Sequence, residues 1–226
     1  MKIWGWVVTA VAGLVLCPFP SGAQEQSGAQ VEPVVRQQPG SQPTIPAKPG
    51  DPGFVPLTGK QRSNRFFKDY LLSPVTYVAS AGAASGGQIT NDPKEWGRTW
   101  EGYGKRVGTM FAMFTIQEAV HQGGDALLRY DPRYFRCRCA GFGPRTWNAL
   151  KMTFLAYDGA GKKHVDWPQL MGAYGSGMLV TLWYPKRYDP LVQGVQMGHA
   201  QMGLVFGVNM VREYNQELKR FFRKFR

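Results

Sequence analysis

Between residues 103 and 128 the apolar positions recur at helical spacing. Val107, Met110, Phe111 and Phe114 form one stripe and predict a long core-facing helix. A second stripe, Val211, Tyr214, Leu218, Phe221, Phe222 and Phe225, predicts a C-terminal helix that opens at Asp189-Pro190 and runs nearly to Arg226. Proline punctuates the rest. Pro74 separates a short helix from about residue 63 from a small-residue helix over about 75–87. Asp92-Pro93-Lys94-Glu95 reads as a helix start, with Asp92 as cap and Glu95 completing a capping box. Pro144 opens a helix to about Leu155, and Pro168 opens another that ends before Pro185.

The pattern between Met152 and Trp167 is mixed. Phe154 and Tyr157, three apart, suit a helix reaching Tyr157. Asp158-Gly159-Ala160-Gly161 then breaks it, and Val165 and Trp167 alternate with polar neighbours, as in a small β-hairpin. The expected fold class is mainly α, a Gly-rich helical bundle with a possible small β-hairpin near 152–167.

Residues 71–91, 167–185 and 190–211 contain no Asp, Glu, Lys or Arg. Small residues repeat four apart within them: Ala79 and Ala83, Gly82 and Gly86, Gly194 and Gly198, Gly203 and Gly207. Such faces let helix backbones approach closely, in a tight soluble bundle or in a membrane. The chain lacks a strongly apolar run of 18 or more residues, so no conventional transmembrane helix is expected.

Composition changes the picture at the N-terminus. Lys2, the apolar run Ile3 to Leu16, Pro18 and Pro20, and Ser21-Gly22-Ala23 predict a secretory signal peptide over 1–23. Residues 24–58 hold seven Pro, four Gly and six Gln, too little apolar surface to offset chain entropy, and read as a disordered Pro/Gln-rich spacer. Residues 59–226 then form one helical domain. The chain carries 27 basic and 15 acidic residues, a formal +12, and the spacer's own charge nearly balances. The positive excess therefore belongs to the domain.

The motifs Trp96-Gly97-Arg98, Gly102-Tyr103-Gly104-Lys105-Arg106, Asp131-Pro132-Arg133-Tyr134 and Trp183-Tyr184-Pro185 together resemble an uncharacterised family of exported, acidobacterial-type bacterial proteins. The resemblance spans roughly residues 65–220. It implies a signal peptide and a helical, Gly-rich domain, and it implies no activity. It also implies small polar residues where this chain has Cys137-Arg138-Cys139.

Four groups of residues carry candidate chemistry. On the helix over 103–128 the stripe continues into Glu118, His121 and Asp125. A carboxylate and an imidazole three apart form half of a Glu-x-x-His metal site, but the chain has no second such pair. No metal ligand set is assigned, and the three remain acid–base candidates. Cys137 and Cys139 are a possible disulfide, since two nearby thiols in an oxidising compartment usually oxidise. Arg133, Arg136, Arg138 and Arg145, among Tyr130, Tyr134 and Phe135, offer anion-binding forks. The alternative is an Arg–carboxylate network holding a loop, with Asp131 and Asp125 as partners. Finally, Lys219, Arg220, Phe221, Phe222, Arg223, Lys224 and Phe225 give a basic helix with an aromatic face, the pattern of an interfacial membrane helix. The Gly-x-Ser-x-Gly elbow, the P-loop and the dinucleotide fingerprint are lacking.

The expectation is a non-enzymatic cell-envelope protein, exported to the periplasm or the membrane-associated envelope and held at an anionic membrane surface. It needs no cofactor and binds no nucleic acid. The alternatives are an envelope enzyme or metal-binding protein using Glu118 and His121, or a scaffold for an envelope protein partner.

Overall fold

The computed structural model describes residues 47–224. Among these residues six helices and a small three-stranded antiparallel sheet form one mainly α bundle. The signal peptide, residues 24–46 of the spacer, and Phe225 and Arg226 lie outside the described residues. Helix α1 (Gly59–Asn64) starts at a capping box: Thr58 N–H donates to Gln61 Oε1, and Gln61 N–H returns to Thr58 Oγ1. It continues as a π-helical stretch over Arg65–Leu71. Helix α2 (Pro74–Thr90) places its proline in the first turn, where a missing N–H costs nothing. Helix α3 (Trp100–Leu128) is capped by Thr99, which accepts from Gly102 N–H. After strand β1 (Tyr130–Asp131) come helix α4 (Phe142–Phe154), strands β2 (Leu155–Asp158) and β3 (Lys163–Val165), helix α5 (Trp167–Thr181) and helix α6 (Pro190–Lys224).

The hairpin expected near 152–167 forms, and it recruits β1 as a third strand. Tyr130 pairs with Asp158 and Asp131 with Tyr157, while Leu155 pairs with Val165 and Tyr157 with Lys163. This pairing corrects the expectation of helix as far as Tyr157. Helix α4 ends at Phe154, whose carbonyl accepts from Asp166 N–H, and the next residues pair on both edges. The helix start expected at Asp92 is also corrected. Only one 3₁₀ turn, Lys94–Trp96, forms there. Arg106 explains the change: it is 2% exposed and donates to the carbonyls of Asp92, Pro93 and Gly97 at 2.8–2.9 Å. These contacts hold the turn over 91–97 against α3, where only the Pro93 and Lys94 carbonyls also accept backbone N–H groups of the 3₁₀ turn. Asp92 instead accepts from the Tyr188 hydroxyl.

The core lies among α2, α3, α5 and α6. Met113, Phe114 and Val180 form its centre, ringed by Ala79, Ala83, Met110, Ile116, Met197 and Leu204. Of the expected stripe, Phe114 is buried and Met110 packs beside it. Phe111 instead stacks on Tyr77 with centroids 5.1 Å apart. Tyr70, from the π-helical stretch, donates its hydroxyl to the Phe114 carbonyl at 2.9 Å.

Helix α5 sits between α3 and α6, and glycines set both crossings. A Cβ on Gly172 would stand 2.7 Å from the Gln117 carbonyl oxygen, and one on Gly194 would stand 2.9 Å from the Met178 backbone nitrogen. Gly198 fits against the Tyr174 ring in the same way. The four-residue repeat is thus a packing device at Gly194 and Gly198. It is not one at Gly86 or Gly203, where an added Cβ meets open space.

The last part of the expected spacer is docked on the domain. Asp51 pairs with Arg138 at 2.8 Å, Phe54 packs edge-on against Phe135, and the Val55 carbonyl accepts from Arg133 at 2.8 Å. One aromatic ring and one carboxylate, matched to an Arg-rich loop, hold this segment despite its Pro and Gly content.

Gly172→Ala is expected to lower the thermal midpoint by several degrees, because overpacking costs about 1–3 kcal/mol and each kcal/mol is worth about 2–4 °C at this chain size. Gly86→Ala should be neutral or stabilising, by up to about 1 kcal/mol. Equal midpoints for the two variants in circular-dichroism melts would contradict the close α3–α5 crossing.

Candidate functional site

The strongest gathering of chemical groups lies where the last turns of α3 meet the start of α5. Gly124 allows that approach, since a Cβ there would stand 2.6 Å from the Pro168 Cβ. His121 and Asp125 lie one turn apart on α3. Asp166 is the cap of α5: its Oδ1 accepts from Gln169 N–H at 2.9 Å, which turns Oδ2 toward α3. His121 Nε2 stands 3.2 Å from Asp166 Oδ2 and 3.2 Å from Asp125 Oδ2.

The surroundings are largely closed. The side chains of His121, Asp125 and Asp166 are 16%, 0% and 10% exposed. Burial opposes charge on His121, but the adjacent Asp125 and Asp166 carboxylates outweigh it, and its pKa is pushed up to about 10. Burial is also the main cause that raises the Asp125 carboxyl above its usual range. Nε2 carries at most one proton, and its directed hydrogen bond goes to Asp166. Neither Asp125 oxygen has a hydrogen-bond partner among the described residues, and neither does the buried Gln169 Nε2. A cavity of about 60 Å³ adjoins the cluster, lined by His121, Asp166, Gln169, Asp131, Asn209 and Arg212 among others. The arrangement presents one imidazole nitrogen and two carboxylates to one point, suited to holding a proton or a cation.

Sequence reasoning reached two of these three residues. Glu118 does not join them: it accepts from Gln122 Nε2 at 2.5 Å, its neighbour one turn on. Asp166 was missed. Its position before Trp167-Pro168 carried a helix-cap signal, but its second oxygen finds His121 only through the α3–α5 crossing.

The arginines expected to bind anions are held by the protein. Arg133 forks onto Asp131 at 2.7 and 2.8 Å, and Arg138 pairs with Asp51. Arg136 donates to the Glu213 carbonyl at 2.8 Å, and Arg145 reaches Glu217 at 2.5 Å and Glu213 at 3.6 Å. The segment carries an Arg–carboxylate network. Asp131 is a partner as expected, and Asp125 is replaced by Glu213, Glu217 and Asp51. Glu213 is the hub: fully buried, it accepts from the Tyr134 hydroxyl at 2.5 Å, Cys137 N–H at 3.1 Å and Asn148 Nδ2 at 3.3 Å. Burial, then Glu213, raises the Tyr134 phenol well above its usual range. Cys137 and Cys139 are joined as a disulfide in this loop.

At the C-terminal end of α6, Phe221 and Phe222 are 57% and 45% exposed and pack edge-to-face on one another. Among the described residues no ion pair reaches Lys219, Arg220, Arg223 or Lys224. Phe225 lies outside the described residues.

Removing one partner of a buried, hydrogen-bonded charge costs about 3–5 kcal/mol. Glu213→Ala should therefore cost roughly that much and loosen the loop over 129–141, whereas Glu217→Gln, at an exposed pair, should cost less than about 1 kcal/mol. Urea melts of the two variants measure the difference, and similar midpoints would remove Glu213 from its place as hub.

Three of the four motifs that carry the family resemblance meet at the other end of the bundle. Arg106 lies over the Trp96 ring, Trp96 packs edge-on against Tyr184 at 5.0 Å, and a Cβ on Gly102 would collide with the Trp96 carbonyl. Their spacing reflects one packed turn. No known protein family, curated protein or solved structure matches this chain.

Proposed function

We propose that this is a non-enzymatic cell-envelope protein, exported by its N-terminal segment, that associates peripherally with an anionic membrane surface through the end of α6. The observation that carries the reading is the exposed pair Phe221 and Phe222 beside four lysines and arginines that no acidic residue pairs among the described residues. Helix α6 has 35 residues, about 52 Å at the usual helical rise, and its final turn extends beyond the Arg145–Glu217 pair. Basic residues near an anionic surface contribute about 1 kcal/mol each, and inserted Phe rings add apolar transfer energy on the same scale. No described helix is long and apolar enough to cross a membrane, which accords with a peripheral mode.

A second apolar surface lies around the turn between α5 and α6, where Leu179, Leu182, Trp183, Leu191 and Val192 are 47–71% exposed. It is about the length of α6 away from the tail. It supports the scaffold reading, in which a protein partner covers this end of the bundle.

Vesicle sedimentation separates these readings. Binding to vesicles rich in anionic lipid should fall but persist as salt rises, because salt screens charge and leaves apolar insertion. Changing Lys219, Arg220, Arg223 and Lys224 to Gln should remove the salt-sensitive part, and Phe221→Ser with Phe222→Ser the salt-resistant part. Full-length protein that ignores such vesicles at low salt would refute the membrane reading. Loss of binding only in Leu182→Ser with Leu191→Ser would move the membrane face to the α5–α6 turn.

A further inference from the structure

We propose that His121, Asp125 and Asp166 bind one divalent first-row transition-metal ion, a property independent of the membrane reading. The geometry is that of ligands around a common centre. Nε2 lies 3.2 Å from each of two carboxylate oxygens, and the three donor atoms all fall within 4.8 Å of one another. Two donors bound to one tetrahedral ion at about 2.0–2.1 Å stand about 3.3 Å apart. The same spacing suits a hydrogen bond from Nε2 to Asp166, which leaves Asp125 Oδ2 facing Nε2 at 3.2 Å by charge alone.

Asp125 decides between the two. Its side chain is wholly buried and aimed at Nε2, yet neither oxygen has a hydrogen-bond partner among the described residues. Asp125 is paired with His121 at 3.2 Å, but buried carboxylates normally also take hydrogen bonds or a metal ion.

The supporting residues are those a metal site needs. Gln169 N–H holds Asp166 Oδ1 at 2.9 Å, so Oδ2 is fixed toward His121. The adjoining cavity of about 60 Å³ has room for water on the remaining coordination positions. Asp131 lines that cavity, but Arg133 holds both its oxygens, which leaves three protein ligands. An imidazole with two carboxylates selects zinc, manganese or iron(II) over calcium and magnesium, which prefer all-oxygen shells. By contrast, His164 with Asp158 makes an ordinary two-residue pair, with His164 40% exposed.

The test uses the full chain, stripped with chelator and dialysed against Zn²⁺ or Co²⁺. One equivalent should bind, with visible Co²⁺ absorption bands and a raised melting temperature. His121→Ala, Asp125→Asn and Asp166→Asn should each weaken binding at least tenfold, while Glu118→Gln and His164→Ala should leave it unchanged. Asp166→Asn is the decisive variant, because Asn also caps helices and should keep α5 folded by circular dichroism. A wild-type chain that binds neither ion at micromolar concentration overturns the proposal. So does binding that survives in folded Asp166→Asn and Asp125→Asn.

Discussion

The close approach of α5 to α3 on one side and α6 on the other is the constraint on which the rest of the structure depends. Gly172 meets the Gln117 carbonyl and Gly194 meets the Met178 backbone at distances that admit no side chain. Packing at that range buries Val180 and brings Met113, Phe114, Met197 and Leu204 into one core. It also decides the chemistry. Gly124 seats Pro168, and the residue two positions earlier, Asp166, is thereby delivered to His121 and Asp125.

The two ends of the bundle are fixed by buried ions of opposite sign, and neither rests on a simple ion pair. Arg106 is satisfied by carbonyls of the turn over 91–97 and by the Gln88 side chain at 2.7 Å. Glu213 is satisfied by a phenol, an amide and a backbone N–H, with Arg145 nearby. Each ion organises a turn or loop between longer elements. Hydrogen bonds to charged groups are stronger than neutral ones, so one buried ion can hold several loop residues in register.

The apolar surface left outside that framework is uneven. Helices α2, α5 and the first half of α6 carry no formal charge, while cations that pair with no acidic residue among the described residues collect on the last turns of α6. A chain with this distribution has one end suited to an anionic surface and a body whose exposed Leu, Val and Trp residues suit an apolar partner. The histidine–aspartate cluster lies on neither surface, and its chemistry is separable from both.

Helix periodicity, proline positions and the breaker at Asp158 to Gly161 were enough to predict a mainly α bundle with a small hairpin, because these signals are local. The basic aromatic tail was legible for the same reason, as were His121 and Asp125, one turn apart on one helix. Residues brought together from distant parts of the chain were not. Nothing near Arg106 in sequence marks it as the group that would convert the helix start at Asp92 into a single 3₁₀ turn. Nothing near Arg145 or Arg136 points to Glu213, more than sixty residues away. Phe54 and Asp51 sit in a composition typical of disorder, and the Arg133–Arg138 loop supplies their distant partners. Asp166 carried a visible signal as a helix cap. Its role beside His121 belonged to the tertiary structure alone, because a carboxylate has two oxygens, and the second was placed by the crossing of α3 and α5.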